Sequence, residues 1–134
     1  MTTVALEQMV MQQVRAWDVL EERVLDTLRR VPRERFVPTA FRAVAYADAA
    51  IPLPHGQHML TPQFIGRILK AIWAAPTETV LEIGTGSGYL TALLAAQAAE
   101  VVSVDIVAEF TAAATQKLRA HGITTFKQIA AWKK

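Results

Sequence analysis

Three glycines at alternate positions, flanked by two acidic residues, are the part of this sequence best suited to bind a ligand. The glycines are Gly84, Gly86 and Gly88; Glu82 lies two residues before the first, and Asp105 lies 17 residues after the last. Glycine accepts positive φ and has no Cβ, so a ligand can lie against bare backbone. A carboxylate at Glu82 would repel a pyrophosphate but suits a cation such as an ammonium or a sulfonium. Asp105 is placed to accept hydrogen bonds from ribose hydroxyls.

The segments around these five residues predict a strand, a turn, a helix and a second strand. Residues 80–83 are mostly apolar, residues 89–99 have leucines at helical spacing, and residues 101–104 are rich in valine. This is half of a nucleotide-type βαβ unit, in which the ligand lies beyond the carboxyl ends of the strands. An ordinary βαβ turn without a ligand is the alternative, and it is disfavoured because the polar groups converge on the same strand ends.

The spacing of the glycines distinguishes two kinds of nucleotide site. The dinucleotide fingerprint is G-x-G-x-x-G, but here the third glycine comes one place early and Tyr89 occupies the last position. A dehydrogenase half-domain is therefore disfavoured. The pattern E-x-G-x-G-x-G followed by an acid resembles motif I of class I S-adenosylmethionine-dependent methyltransferases, which implies a Rossmann-like α/β fold that binds S-adenosyl-L-methionine. The cofactor-binding residues that it implies are Glu82, Gly84, Thr85, Gly86, Ser87, Gly88 and Asp105.

Composition limits the class of protein. The 134 residues are 52% hydrophobic and 19% charged, which favours a folded domain over disorder. The net charge of +2 is too small and too dispersed to indicate nucleic-acid binding. There is no cysteine, and His55 and His58 have no third ligand nearby, so we expect no metal site. No apolar run reaches the ~20 residues of a membrane span and no signal-peptide pattern begins the sequence, so we expect a cytoplasmic protein.

Helices are predicted before the glycine segment. Residues 4–16 form an amphipathic pattern whose methionines we expect to fill the core. A second helix is predicted to begin at a capping box formed by Asp18 and Glu21 and to stop before Pro32. We expect the arginines after this helix, Arg33 and Arg35, to cover the outer face of the protein, with a phosphate site as the alternative.

A proline-rich connector at residues 31–56 is too apolar for a flexible linker, so we expect it to pack on the domain. It contains a predicted helical turn at residues 41–47 and a predicted extended segment at residues 51–54. The loop at residues 55–62 lies just before the glycine unit in the sequence. We expect this loop to fold over the ligand as a lid.

Two more helices and a third strand complete the predicted elements. Thr61 is a good N-cap residue and Pro62 a good first helical residue, which predicts a helix to about residue 73. A further helix is predicted at residues 107–121, followed by a third strand at residues 123–129. The predicted sheet is therefore parallel and has about three strands.

Four segments of the sequence together match one known family. They are VPRERFVP at residues 31–38, AYAD at 45–48, IPLPHGQ at 51–57 and VLEIGTGSGY at 80–89. From about residue 10 to about residue 122, the chain resembles the protein-L-isoaspartate O-methyltransferase family. The resemblance implies that the substrates are damaged proteins or peptides with L-isoaspartyl residues. Their free carboxylate is methylated from S-adenosyl-L-methionine, which begins protein repair.

The sequence departs from this family in the loop before the glycine unit. The family has a serine implicated in the active site there; aligned without gaps, its position is Leu60, and Thr61 keeps a hydroxyl one residue later. N-capping of the following helix is the alternative role for Thr61. No catalytic residue is assigned from the sequence. Methyl transfer to a carboxylate needs little acid–base help, because the carboxylate is already ionised near neutral pH.

Length is the second departure. Family members continue for roughly another half domain, and the Gly-Asp expected after the third strand is replaced by Ile129 and Ala130. The resemblance therefore implies a C-terminally truncated single domain. It has a helical part with a lid-like loop at residues 1–76 and the first βαβαβ half of the cofactor-binding sheet at residues 77–134. A fragment, a frame-shifted product and half of an assembly are alternatives that the sequence leaves open, and we expect self-association through the exposed sheet edge.

Two functions from different classes follow from these patterns. The first is a carboxyl methyltransferase of the isoaspartate-repair type, with little turnover as this 134-residue chain. The second is a non-catalytic module or fragment that binds S-adenosyl-L-methionine and acts through a partner. Transfer of a labelled methyl group to an isoaspartyl peptide distinguishes them.

Overall fold

The computed structural model describes the backbone of residues 2–129 and the side chains of residues 3–127. The chain forms two compact units, Met1–Trp73 and Ala74–Lys134. The first contains helices and a small β-hairpin, and the second contains a parallel sheet with two helices. The interpretation of both units as parts of one methyltransferase domain, divided at residue 76, stays a prediction. Within residues 2–129, no helix combines the length and hydropathy needed to cross a membrane.

The first unit begins with a continuous helical run whose geometry changes twice. An α-helix, α1 (Thr2–Gln8), leads into a π-helical segment, Met9–Val14, and then into a 3₁₀ turn, Arg15–Trp17. The helix predicted for this region is confirmed, although only its first part is α-helical. Met9 is fully buried, as predicted, whereas Met11 is partly exposed.

The second helix, α2 (Glu22–Arg30), begins later than the predicted capping box requires. Asp18 has a left-handed backbone, with a φ of 64°, and its N–H donates to the carbonyl of Arg15. Glu21 occupies the N-cap position without a side-chain cap bond, and its carboxylate accepts from the N–H of Leu20. The capping-box prediction is wrong, because Asp18 ends one helical segment rather than beginning the next.

The proline-rich connector contains two short 3₁₀ helices, Arg33–Phe36 and Thr39–Val44. The helical turn predicted at residues 41–47 therefore begins two residues earlier and ends at Val44. Phe36 is fully buried and Val37 almost so. The connector thus packs into the first unit, as its apolar composition predicted.

A two-stranded hairpin follows the connector. β1 (Ile51–Pro52) pairs antiparallel with β2 (His58–Met59), with Ile51 opposite Met59. Both of these paired side chains are buried. The predicted extended segment is confirmed at its start. Its pairing with β2 was not predicted, because two-residue strands are too short to show an alternating pattern.

The helix α3 (Pro62–Ile72) completes the first unit. Thr61 is its N-cap residue and Pro62 its first helical residue, as predicted, but the Thr61 side chain makes no cap hydrogen bond. Proline suits that place because the first N–H of a helix has no intrahelical acceptor. The helix ends at Trp73, which has a left-handed backbone with a φ of 48°.

α3 packs closely against the π-helical segment of the first unit. At Gly66, an added Cβ would lie 2.5 Å from Cγ1 of Val14. The close approach therefore requires a glycine, even though glycine costs ~1 kcal/mol relative to alanine inside a helix. Ile65 and Leu69 are buried as predicted, whereas Ile72, predicted on the same face, is exposed.

The second unit is a parallel sheet of three strands in the order β3–β4–β5. The strands are β3 (Thr79–Ile83), β4 (Glu100–Val104) and β5 (Phe126–Ile129). The three predicted strands are confirmed, with β5 shorter at its start than predicted. The register of β3 on β4 places Glu82 opposite Ser103.

Two helices connect the strands of the second unit. α4 (Tyr89–Gln97) joins β3 to β4, and α5 (Ala108–Ala120) joins β4 to β5. Phe110, Ala114 and Leu118 of α5 are buried, as their helical spacing predicted. The βαβαβ order with a parallel sheet confirms the predicted partial Rossmann-like fold.

β3 lies at one edge of the sheet. In the part of the chain that the structure describes, β3 pairs with β4 alone. Its side chains Leu81 and Ile83 are 63% and 78% exposed. At the other edge, β5 ends at Ile129, and Ala130, the second residue at the family's Gly-Asp position, lies outside the described residues.

Candidate functional site

The glycine turn between β3 and α4 is built from left-handed backbone. Gly84, Gly86 and Gly88 have φ values of 100°, 53° and 86°. The N–H of Gly84 donates to the carbonyl of Val104 over 2.7 Å, which continues the pairing of the two strands into the turn. A Cβ added to Gly84 would meet no atom within 4 Å. The turn therefore presents bare backbone to open space at this position, as the sequence predicted.

Asp105 joins the glycine turn to the segment before α5. Its Oδ2 accepts from the N–H of Gly86 over 3.0 Å, and its Oδ1 accepts from the N–H of Val107 over 2.8 Å. Val107, not Asp105, is the N-cap residue of α5. Each carboxylate oxygen has a second lone pair, so Asp105 can still accept a hydrogen bond from a ligand hydroxyl.

Glu82 is buried at the end of β3. Its Oε1 accepts from the hydroxyl of Ser103 over 2.6 Å and from the hydroxyl of Thr91. Its Oε2 is buried and has no hydrogen-bond donor among the described residues. Burial raises the pKa of Glu82 above its ordinary value; the two hydroxyls oppose this shift, and the charge of Asp105 adds to it.

A chain of hydroxyls links the turn to this carboxylate. Ser103 gives its single proton to Glu82, so in the 2.6 Å contact between Thr85 and Ser103 the Thr85 hydroxyl is the donor. The Ser87 hydroxyl accepts from the N–H of Tyr89 over 3.3 Å. Thr85 and Ser87, predicted as cofactor contacts, therefore use their side chains to support the turn, and the carbonyl of Thr85 also accepts from the N–H of Gly88 over 3.0 Å.

Sequence reasoning missed two residues of this network, Ser103 and Thr91. Ser103 is the one polar residue in the run Val101–Val104 of β4, and its hydroxyl faces Glu82 because the two residues are opposite in the parallel register. A polar residue inside an apolar strand was therefore the available signal. Thr91 gave a similar signal, because it is the one polar residue in residues 90–96, but helical periodicity did not indicate that its hydroxyl would reach Glu82.

Seven predicted cofactor-binding residues lie in one unit and at one end of its sheet; they are Glu82, Gly84, Thr85, Gly86, Ser87, Gly88 and Asp105. They fit a ligand that has both a cationic group and a ribose. Glu82 supplies a negative charge and a buried acceptor without a described donor, and Asp105 supplies oxygens for hydroxyls. These residues could hold S-adenosyl-L-methionine, whereas the charge of Glu82 disfavours a pyrophosphate.

The two residues considered for catalysis lie in the first unit. Leu60 and Thr61 connect β2 to α3; the side chain of Leu60 is exposed and that of Thr61 is half-buried. The role of their loop as a lid stays a prediction. His55 and His58 are also exposed on the hairpin, and the described residues contain no group of three His, Cys, Asp or Glu side chains that could hold a metal ion.

The predicted outer position of the arginines is wrong for Arg33, which is fully buried. Its Nε donates to the carbonyl of Ala45 and its Nη2 to the carbonyl of Leu60, each over 2.9 Å. Burial is possible because a guanidinium has several donors to satisfy backbone carbonyls. Arg29, by contrast, lies near the surface and pairs with Glu7, Glu22 and Asp26.

Comparison with known proteins decides the family. The family model described as Protein-L-isoaspartate(D-aspartate) O-methyltransferase (PCMT) matches residues 5–131. The chain belongs to this family. The resemblance inferred from the four sequence segments is therefore confirmed.

Individual members of the protein-L-isoaspartate O-methyltransferase family also match this chain over most of its length. The chain is 40% identical to the Koribacter versatilis enzyme of that name over 122 residues, which are 91% of this chain and 55% of that protein. It is 43% identical to the Picosynechococcus enzyme over 121 residues, 90% of this chain and 54% of that protein. The chain thus spans about half the length of the curated relatives that it matches.

Solved structures confirm the fold. A Plasmodium falciparum protein bearing the same family name, in complex with S-adenosyl-L-homocysteine, aligns with a TM-score of 0.76 at 19% identity, over 90% of this chain and 60% of that one. A second protein-L-isoaspartate O-methyltransferase aligns with a TM-score of 0.75 at 18% identity, over 98% of this chain and 42% of that one. At these identities the likeness concerns the Rossmann-like methyltransferase fold.

Proposed function

We propose that this chain provides the S-adenosyl-L-methionine-binding part of a carboxyl methyltransferase that acts on L-isoaspartyl residues of damaged proteins. The observation on which the proposal depends is the convergence of Glu82, the glycine turn and Asp105 at the carboxyl ends of β3 and β4. Membership of the family supports an isoaspartyl carboxylate as the methyl acceptor, and we propose protein repair as the role on the resemblance to that family.

In this proposal each residue of the site has a distinct role. The backbone of Gly84 to Gly88 lies against the amino-acid part of the cofactor, where no Cβ blocks its approach. Glu82 attracts the cationic end through its charge, and Asp105 accepts from the ribose hydroxyls. Thr85 and Ser87 contribute backbone contacts and hold the turn in shape. When bound, the cofactor supplies an activated methyl group.

Methyl transfer to this acceptor requires little acid–base catalysis from the protein. An isoaspartyl carboxylate is ionised near neutral pH, so it needs no general base. The work left to the protein is to align the carboxylate and to exclude water from it. We assign this work to the loop that contains Leu60 and Thr61, as a lid, without a proton-transferring residue.

The cofactor assignment can be tested with two matched glycine substitutions. Gly84 and Gly122 both have positive φ, and an added Cβ would meet no atom within 4 Å at either position. Alanine therefore strains the backbone by about 1–2 kcal/mol at each. Only Gly84→Ala places a methyl group where the proposed cofactor lies. Calorimetric titration with S-adenosyl-L-homocysteine should show at least roughly tenfold weaker binding for Gly84→Ala than for Gly122→Ala. Equal affinities would refute the assignment.

We also propose that the open edge of β3 supports self-association. Its apolar side chains Leu81 and Ile83 are exposed, and its outer N–H and C=O groups have no strand partner among residues 2–129. Isoaspartyl-containing proteins are the proposed substrates. A cytoplasmic location stays a prediction from the N-terminal sequence.

A further inference from the structure

Arg33 is a buried connection between two distant parts of the first unit. Its guanidinium donates to the carbonyl of Ala45, 12 residues away in sequence, and to the carbonyl of Leu60, 27 residues away. Both distances are 2.9 Å. The donors of a guanidinium are fixed in one plane, so the two carbonyls are held at a set separation and orientation.

The two acceptors lie at structural junctions. Leu60 directly follows β2 and precedes Thr61, the N-cap residue of α3. Ala45 closes the second 3₁₀ helix, where its N–H donates to the carbonyl of Arg42 over 3.2 Å. Arg33 therefore fixes the exit of the hairpin against the connector that leads into it.

The hairpin itself is locally ordered but exposed at its tip. The N–H of Leu53 donates to the carbonyl of Gln57 over 2.8 Å, and His55 and Gly56 have φ values of 60° and 67°. Residues 54–58 are exposed, whereas Ile51 and Met59 at the base are buried. The shape of the tip is thus set by its own turn, and its position is set at the base, where Arg33 holds Leu60.

We propose that Arg33 is a positioning residue, which holds the hairpin and the following Leu60–Thr61 segment in one fixed pose on the connector of the first unit. The inference rests on the proposed function, in which this segment is the lid. An apolar side chain of similar length would fill the volume but leave the buried carbonyl of Ala45 and the partly buried carbonyl of Leu60 without these donors. A lysine would keep the charge, but its three donors lie on one rotatable nitrogen, so it could not hold two separated carbonyls in the plane that the guanidinium fixes.

The test compares Arg33→Lys with Val24→Ala by hydrogen exchange and mass spectrometry on the full chain. Val24 is a buried residue of α2, so Val24→Ala lowers the stability of the first unit and leaves the Arg33 side chain unchanged. At matched global stability, Arg33→Lys should exchange roughly tenfold faster at residues 53–61, the effect of losing one hydrogen bond from a charged donor. Equal exchange in the two variants would overturn the proposal.

A second measurement covers the case in which Arg33→Lys fails to fold. In the unaltered chain, Arg33 holds both the carbonyl of Ala45 and the carbonyl of Leu60. The N–H groups of Ala45 and Leu53 should therefore become open to hydrogen exchange together, in one cooperative opening, as denaturant is added. Independent openings would contradict the proposal. Neither readout requires cofactor or substrate, so both remain decisive if the proposed function fails. If methyl transfer is measurable, Arg33→Lys should lower kcat/KM for an isoaspartyl peptide and leave the affinity for S-adenosyl-L-homocysteine unchanged.

Discussion

The N–H of Gly86 donates to Oδ2 of Asp105 over 3.0 Å. This bond joins residues from two different loops, one after β3 and one after β4, at the same end of the sheet. The other carboxylate oxygen holds the N–H of Val107. Asp105 therefore shapes the candidate site while it keeps free lone pairs for a ligand, so its structural and ligand-binding roles have to be separated by measurement.

Asp105→Ala should weaken cofactor binding more than it weakens folding. We expect the affinity for S-adenosyl-L-homocysteine to fall by about tenfold to a hundredfold, since hydrogen bonds to a charged group contribute about 1.5–3 kcal/mol. Folding loses the bonds to Gly86 and Val107, both of which are only partly buried. Calorimetry and thermal unfolding of the same samples measure the two effects. A lower melting temperature with unchanged affinity would assign Asp105 a purely structural role.

Glu82→Gln should change the pH dependence of stability. Burial raises the pKa of Glu82 in the folded chain above its ordinary value of 4.5. Between those two pKa values the folded chain holds a proton that the unfolded chain has released, so stability falls as pH rises through this window. Glutamine removes the titration and can still accept from Ser103 and Thr91. The free energy of unfolding of the variant relative to the unaltered chain should therefore increase as the pH rises above about 4.5.

Urea unfolding at several pH values provides the measurement for Glu82. Ser103→Ala is a useful comparison, because it removes one hydrogen bond to the carboxylate but leaves the carboxylate to titrate. Its stability should depend on pH more strongly than that of the unaltered chain, because the Ser103 hydroxyl opposes the rise in the pKa of Glu82. A constant difference between Glu82→Gln and the unaltered chain at all pH values would show that burial does not shift this carboxyl.

Gly66→Ala should destabilise the first unit by about 1–3 kcal/mol, despite the better helix propensity of alanine. The added Cβ would lie 2.5 Å from Cγ1 of Val14, too close for either helical segment to remain in place. Thermal unfolding measures the loss. Val14→Ala removes the clashing methyl, so the double variant should be more stable than the sum of the single changes predicts. Strict additivity would mean that this contact does not limit the packing.

Ile83→Lys should reduce self-association. Ile83 is 78% exposed on the edge strand β3, and a charge there opposes pairing with another chain. Sedimentation velocity over a range of concentrations should show a smaller associated fraction. Val4→Lys is the control, because Val4 is also exposed, at 61%, but lies on α1 of the first unit. The edge-strand proposal fails if both substitutions have the same effect.

The 134-residue polypeptide should bind cofactor but transfer methyl groups to an isoaspartyl peptide at well below one-tenth of the rate of a full-length relative. It spans about half the length of those relatives, and the loop position occupied by serine in the family is Leu60 here. Alignment of the acceptor is then incomplete, and rate falls steeply with misplacement. Incorporation of labelled methyl groups is the assay. Turnover comparable to that of the relative would disprove this prediction.

Local sequence patterns were sufficient to predict the order of strands and helices in the second unit. The apolar run before the glycines, the leucine spacing of α4 and the valines of β4 are each set by neighbours within a few residues, so the strand–turn–helix–strand order could be predicted. The positive φ of Gly84, Gly86 and Gly88 was also predictable, because only glycine adopts such backbone freely. The position of Asp105 at the adjacent strand end followed from the parallel βαβ order.

Tertiary structure decided the contacts between residues distant in sequence. Glu82 meets Ser103 through strand register and Thr91 through the packing of α4, and neither can be obtained from hydrophobic periodicity, which reports only the buried face. The burial of Arg33 could likewise not be predicted. Its hydrogen-bond acceptors are backbone carbonyls, which every residue has, so the sequence does not show which residues supply them. Asp18 could begin a helix or end one, and the packing of the first unit selected the second role. Sequence by itself therefore determined the family and the residues of the candidate site, whereas packing determined which side chains support that candidate site.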